Sequence, residues 1–364
     1  MEVHFACKGV RSKSMVLAFL CCVFFAGAAP AQDKLVFAVD IIRHGDRTPL
    51  NNDFKEDPTN WPEGFGKLTA LGSNQEYALG TEMRRLYYGG LLDSNTAAQS
   101  ICVFSTDTVR TRQSAGLFVS GLMGAAAGTI PIHLTIPVDI AGGFATDNVV
   151  PLANFSNPGM TNLKALESQY IFETPEWKAT NAALQPQFAR WSQALGVKIT
   201  NIGNLIGLSD ALYIHQIHHV VLTNRIGADD IASIIAAGRW AYVYEYNLNM
   251  GGIVGRPLLR KIADYMENAR REGVSRKQGG LKYVLFSAHD DTLLREMSAL
   301  KAPLTGTNSP PYAALLHFGL FEAGPGNFRI RVNYKDWADH VVPDPETGGA
   351  EWTVEDLLKV AGQE

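Results

Sequence analysis

The sequence predicts an α/β fold: an open, mostly parallel sheet flanked by helices, with a smaller helical domain inserted. Three observations predict it. Runs of β-branched and aromatic residues at Val36–Ile42, Ile101–Phe104 and Tyr283–Ser287 each break abruptly into a polar loop, as strands buried on both faces of a sheet do. Between the second and third runs, from about residue 139 to 255, strand patterns vanish and helical runs take over. With 364 residues, 46% hydrophobic and 19% charged, the chain is long enough for one large domain carrying such an insertion. The expected organisation is 1–31 as an export signal, 32–138 with 256–364 as the α/β domain, and 139–255 as a helical cap.

The first segment has the composition of a secretory signal. Lys8, Arg11 and Lys13 precede the apolar run Met15–Ala29, and Ala29-Pro30-Ala31 places small residues where a signal peptidase reads. Met15 offers a second start. Losing Glu2, Lys8, Arg11 and Lys13 with this segment takes the net charge from −4 to −6. That excludes affinity built on phosphate neutralisation, so neither a nucleic acid nor an anionic membrane is an expected partner. Cys7, Cys21 and Cys22 leave with it, and Cys102 remains as a single thiol within an apolar strand. No internal disulfide can form, and the thiol reads as buried and inert.

The first strand has one polar interruption, Asp40, and runs into Arg43-His44-Gly45-Asp46-Arg47-Thr48-Pro49. Two guanidiniums beside an imidazole are costly to assemble unless an anion joins them, and arginine forks match phosphate oxygens. Asn51–Phe65 is polar and reads as a loop at a pocket mouth. Leu68–Leu86 has helical spacing, with Leu79, Met83 and Leu86 on one face. After the second strand, Ser105, Thr106 and Asp107 are natural N-caps for a helix over Ser114–Met123, and Arg110 stands near its positive end. An anion bound there reverses the sign of that repulsion. Residues 129–138 read as a third strand limited by Pro131 and Pro137.

Helical patterns cover Asn181–Leu195, Asn201–Ile217 and Asp229–Tyr246 in the cap region and, after a break at Gly251-Gly252, Pro257–Arg271. His215, His218 and His219 form HQIHH, in which His215 and His219 have a metal-ligand spacing. No carboxylate or cysteine completes a diagnostic set, so a core or solvated cluster is the favoured reading. The next buried strand, Tyr283–Ser287, runs into Ala288-His289-Asp290-Asp291-Thr292 and a helix over Leu293–Leu300. Tyr312–Phe321 and Phe328–Tyr334 flank a Gly/Pro turn and read as an antiparallel hairpin at a sheet edge, and Val354–Val360 as a short helix.

Arg43–Pro49 match the RHGxRxP signature of the histidine acid phosphatases. Gly66–Tyr88, the STD-x-x-R-T run of Ser105–Thr111 and His289-Asp290 extend the match over most of the mature chain. The chain therefore resembles that family, in its prostatic-type acid phosphatase and phytase branch, and the resemblance implies a phosphoglycerate-mutase-like fold. The expected chemistry is hydrolysis of small phosphomonoesters. His44 is the nucleophile, forming a phosphohistidine, and Asp290 is the proton donor and later the base. Arg43, Arg47, Arg110 and His289 bind the phosphate, with Arg110 as the family's third clamp. Asp46, at the variable position of the signature, is a candidate leaving-group contact.

No metal or other cofactor is expected, because the arginines take the role a divalent cation plays elsewhere. Many eukaryotic members carry disulfides, so their absence points to a bacterial periplasmic or secreted protein that leaves the membrane once the signal is cleaved. Related enzymes are often homodimers, though this sequence leaves its own assembly open. Phytase is the rival within the family, and a non-catalytic phosphoanion-binding protein the rival outside it. Simple binding needs neither His44 nor Asp290.

Overall fold

The structure, a computed structural model, describes residues 33–93, 95–134, 137–140, 144–147, 167–222, 226–246, 248–273, 280–302, 309–336, 339–342 and 348–362. The expected export signal lies outside them. In chain order the strands are β1 (Lys34–Arg43), β2 (Ile101–Ser105), β3 (Ile132–Leu134), β4 (Pro137–Ile140), β5 (Phe144–Asp147), β6 (Tyr283–Ala288), β7 (Leu315–Gly324), β8 (Asn327–Lys335) and β9 (Asp339–Val341). Seven form one sheet in the order β3-β2-β6-β1-β7-β8-β9, and β4 and β5 pair separately.

The β3, β2, β6 and β1 neighbours run parallel, whereas β1, β7, β8 and β9 pair antiparallel. The sheet is therefore evenly mixed instead of mostly parallel. The hairpin expected at an edge lies inward, with β7 directly against β1. Its Leu315, Leu316, Phe318 and Leu320 are buried as in a central strand. The β4–β5 ribbon corrects the expectation that strands cease at residue 139, since a local antiparallel pair needs no long apolar run.

Alternation along β1 sends its side chains to two cores. Phe37, Val39 and Ile41 pack with Leu259, Ile262 and Met266 on one face, while Ala38 and Ile42 pack with Leu79, Met83, Phe118 and Leu122 on the other. Asp40 is on the second face and fully buried. Its carboxylate accepts from Tyr87 and Tyr283 hydroxyls at 2.7 and 2.8 Å and lies 2.8 Å from His317 Nδ1. The polar interruption is thus satisfied inside the sheet. Cys102 is half-buried, and burial pushes its thiol up against the opposing influence of Lys261.

The helices are α1 (Ala70–Tyr87), α2 (Val109–Met123), α3 (Pro175–Leu195), α4 (Leu205–Ile217), α5 (Ala228–Tyr246), α6 (Leu248–Glu272), α7 (Asp290–Ala299) and α8 (Val354–Val360). Trp177, Phe188, Trp191, Leu205, Leu212 and Ile234 of α3 to α5 share an apolar cluster of their own. The expected break at Gly251-Gly252 is absent. Helix α6 runs through it and through Pro257, contributing Val254 to the helical cluster and Leu258 onward to the sheet. A Cβ on Gly255 would fall 2.3 Å from the Arg295 carbonyl oxygen, so this glycine admits close α6–α7 contact.

Glu76 on α1 is fully buried, and burial pushes its carboxyl well above the ordinary range, against a downward influence of Ser114. A raised carboxyl contributes stability below its unfolded value that is lost as pH rises. Glu76→Gln is therefore expected to leave the melting temperature unchanged near pH 4 and to raise it above pH 6. Equal shifts at both pH values would contradict a buried neutral acid.

Candidate active site

The parallel strands β2, β6 and β1 are adjacent, with Arg43 opposite Ala288 and Ser105 opposite Ser287, so their C-terminal ends are level. The residues just beyond them share one crevice, as strand ends do in open α/β sheets. His44 and Thr106 each donate a backbone N–H to β6, to Ala288 O at 3.0 Å and Ser287 O at 3.1 Å. A cavity of about 340 Å³ lies there, walled on the far side by α4 and α5. Arg43, His44, Arg47, Arg110, His289 and Asp290 all line it.

The loop carrying His44 rests backbone-to-backbone on the first turn of α1. A Cβ on Gly45 would lie 2.3 Å from Gly72 O, and one on Gly72 would lie 2.1 Å from Asp46 O. Asp46 N–H donates to Gln75 Oε1 at 2.8 Å, Thr69 N–H to Asp46 O at 3.0 Å, and Gly45 N–H to Ser114 Oγ at 3.2 Å. His44 Nδ1 is 2.8 Å from the Gly45 carbonyl oxygen. A carbonyl only accepts, so Nδ1 carries the proton and Nε2 keeps its lone pair. Burial, then Arg43 and Arg110, push the His44 imidazole well below its ordinary range, which keeps it neutral.

The arginines differ in their partners. Arg43 Nη1 donates to Pro310 O at 2.5 Å, and Nη2 lies 2.7 Å from Asp290 Oδ2; its guanidinium stacks 4.1 Å over Tyr312. Arg47 Nη2 meets Asp210 Oδ2 of α4 at 2.9 Å. Arg110, second residue of α2, has Nη2 3.5 Å from His289 Nδ1, and burial and Arg47 lower its pKa to about 10. The helix is capped by Thr108 rather than by the three residues before it, and Thr106 and Thr108 hydroxyls instead meet Thr111 Oγ1 at 2.7 and 2.8 Å. The Nε atoms of all three arginines are buried without a partner.

His289 Nε2 is 3.0 Å from Thr106 Oγ1, and its ring lies edge-on to His44 with centroids 5.5 Å apart. Burial lowers its pKa to about 4, with Asp291 opposing and Arg110 assisting. Asp290 Oδ1 accepts from Tyr242 at 2.8 Å and from Asp291 N–H at 2.9 Å. Burial works to raise this carboxyl, but Arg43 and the Tyr242 hydrogen bond outweigh it and hold it below the ordinary carboxylate range. Asp291 turns to Arg295 at 2.6 Å.

Asp46 is a correction. It does not line the cavity; it is fully buried and accepts from Thr69 Oγ1 at 2.5 Å, with His218 Nε2 at 2.8 Å. His215 is no metal ligand either, since its ring nitrogens meet Ala211 O at 2.7 Å and Glu56 Oε1 at 2.9 Å. Among the described residues no group of three His, Cys, Asp or Glu side chains is placed to hold a metal. Sequence reasoning missed Asp210, Tyr242 and Tyr312. Asp210 alone left a signal, as the one acid in the apolar helix α4.

The profile of the Histidine phosphatase superfamily (branch 2) matches residues 34–335. Lysosomal acid phosphatase of Xenopus laevis is 26% identical over 358 residues, covering 91% of this chain and 76% of that protein. Testicular acid phosphatase of Mus musculus is 30% identical over 325 residues, covering 79% and 68%. Among solved structures, the apo form of Hafnia alvei phytase superposes with a TM-score of 0.66 at 16% identity, covering 92% of this chain and 97% of that one. Fold, profile and relatives agree: the chain belongs to branch 2 of the histidine phosphatase superfamily.

Proposed function

We propose that the protein is an acid phosphatase hydrolysing small phosphate monoesters through a phosphohistidine at His44. The observation that carries this reading is the neutral His44, with its Nδ1 proton on the Gly45 carbonyl, beside arginines whose buried Nε donors lack partners. A phosphate supplies the acceptors such donors need. Nε2 attacks phosphorus as the ester P–O bond breaks, and protonated Asp290 gives its proton to the leaving oxygen. Water then attacks the phosphohistidine, Asp290 takes that water's proton, and the P–N bond breaks to restore His44. Arg43, Arg47 and Arg110 hold the three non-bridging oxygens, and His289 adds a hydrogen bond.

In the free site Asp290 is paired with Arg43 and ionised. An entering phosphate draws the guanidinium away and adds negative charge nearby, and both effects raise the Asp290 pKa towards the value an acid requires. An acidic optimum follows. The direct test is hydrolysis of p-nitrophenyl phosphate between pH 4 and 7 with EDTA present. Release of nitrophenol above the buffer blank supports the reading, and no release at any of these pH values overturns it.

Asp210 occupies the Arg47 fork where a phosphate oxygen would go. Asp210→Asn is expected to tighten inhibition by inorganic phosphate by about 3- to 10-fold, the scale of a weakened charged competitor. Weaker inhibition in the variant would mean that Asp210 orients Arg47 instead of competing for it.

Phytase is the second reading, favoured by the structural neighbours and by Arg239, which stacks 4.0 Å over Tyr213 in the cavity wall. Among the described residues, Arg239 is the one cavity-lining cation beyond the three clamp arginines, and Asp210, Asp290 and Asp291 line the same space. A ring bearing many phosphates needs more positive charge than this, which favours small monoesters. A higher kcat/KM for inositol hexakisphosphate than for p-nitrophenyl phosphate would reverse the preference. Export to the periplasm or medium is part of the same proposal. It is supported by the composition of residues 1–31, and no described helix is long and apolar enough to cross a membrane.

A further inference from the structure

The HQIHH segment is left without a role by the phosphate chemistry, yet the turn that ends its helix is built to aim one side chain. At the end of α4, His219 N–H donates to Gln216 O at 3.3 Å and Val220 N–H to His215 O at 3.0 Å. These are the paired bonds of a Schellman closure, and His219 takes its left-handed position at φ 54°. His218, the residue before, thereby turns towards the catalytic loop.

We propose that His218 is a positioning residue for His44, acting through the buried carboxylate of Asp46. The proposal rests on the phosphohistidine reading above. Asp46 lies between His44 and Arg47 and has zero exposure. Its Oδ2 is shared by the Thr69 hydroxyl, which caps α1, and by His218 Nε2 from α4, while Oδ1 has no partner. One buried carboxylate therefore joins the loop to both sides of the crevice. Without His218 it retains a single hydroxyl, and an under-satisfied buried carboxylate is costly enough to shift the backbone that carries it.

The surroundings hold His218 in place. Trp61 lies edge-on between His218 and His215, at centroid distances of 5.4 and 5.3 Å. Trp61 Nε1 donates to Glu56 Oε1 at 3.0 Å, the oxygen that also meets His215 Nε2. Helix α4 and the residue that caps its end grip the loop twice, at Asp210–Arg47 and at His218–Asp46, about two helical turns apart. The first grip competes with phosphate and must loosen on binding. The second lies outside the cavity and persists through turnover. Long arginine side chains can follow a small loop displacement, but in-line attack by an imidazole cannot, and a shift of about 1 Å costs on the order of 10²-fold in rate.

The test uses the full chain carrying His218→Ala, Asp46→Ala, both together, and His218→Gln, which retains an N–H donor. Rates on p-nitrophenyl phosphate are expressed per folded molecule, with the folded fraction taken from circular-dichroism melts. His218→Ala is expected to lower kcat 10- to 100-fold, on the same basis, with KM changed less than about 3-fold. His218→Gln is expected to recover most of that loss, and the double variant to be no slower than Asp46→Ala alone. Unchanged kcat per folded molecule, or losses that multiply in the double variant, would overturn the proposal. An inactive wild type would instead overturn the reading beneath it, so the two failures are distinguishable.

Discussion

Replacement of His44 by alanine is expected to lower kcat by about 10⁴-fold or more, the order of loss when a covalent nucleophile is removed. The fold should survive. The side chain makes one hydrogen bond, to its own neighbour's carbonyl, and ring contacts to His289 and Tyr312 at the cavity. The loop backbone stays pinned to α1 through Asp46 and Thr69 and to α2 through Gly45. Phosphate affinity should also survive, because the three arginines are untouched. Steady-state kinetics with calorimetric titration of inorganic phosphate separates the two quantities. Loss of phosphate binding in step with kcat would show that His44 serves the ground state rather than the transition state.

Asp290→Asn carries the second largest effect, and its size depends on the ester. An alkyl leaving group needs a proton as it departs, so its hydrolysis should fall by about 10²- to 10⁴-fold, the usual worth of a positioned acid. p-Nitrophenolate leaves unaided, so kcat/KM for its ester, which reports transfer to His44 and not the later hydrolysis, should lose about 10-fold or less on the same reasoning. The pH dependence carries a matching sign. In the wild type, kcat on alkyl esters is expected to fall as pH rises through the Asp290 value in the complex, the protonated form being the competent one under this proposal. In the free protein Arg43 and Tyr242 hold that carboxyl low despite burial, so kcat/KM should begin to fall at lower pH than kcat. A variant with the same loss of kcat/KM on both ester classes would remove Asp290 from the acid role.

The crevice was legible because its residues sit where strands stop. Val36–Ile42, Ile101–Phe104 and Tyr283–Ser287 announce themselves by composition, and their neighbours in sequence become neighbours in space once β2, β6 and β1 align. That adjacency brings Arg43, His44, Arg47, Arg110, His289 and Asp290 to one cavity. The far wall was not legible. Asp210 and Tyr242 lie on helices whose periodicity fixes a buried face but not the object it covers. Asp46 was misread for a related reason: neighbouring loop residues point in different directions, and Gly72, with no Cβ, lets the Asp46 backbone lie against α1. The Gly251-Gly252 break failed because tertiary packing against α7 outweighs local helix propensity. His215 and His219 gave a metal-like spacing whose cause is a helix terminus.

The most direct measurement stops a reaction with labelled phosphate ester in alkali and locates the label in the denatured chain. A base-stable, acid-labile phosphoryl group on the peptide containing residue 44 is the expected result. Active enzyme that yields no such adduct, or carries it on another side chain, would contradict nucleophilic attack by that imidazole.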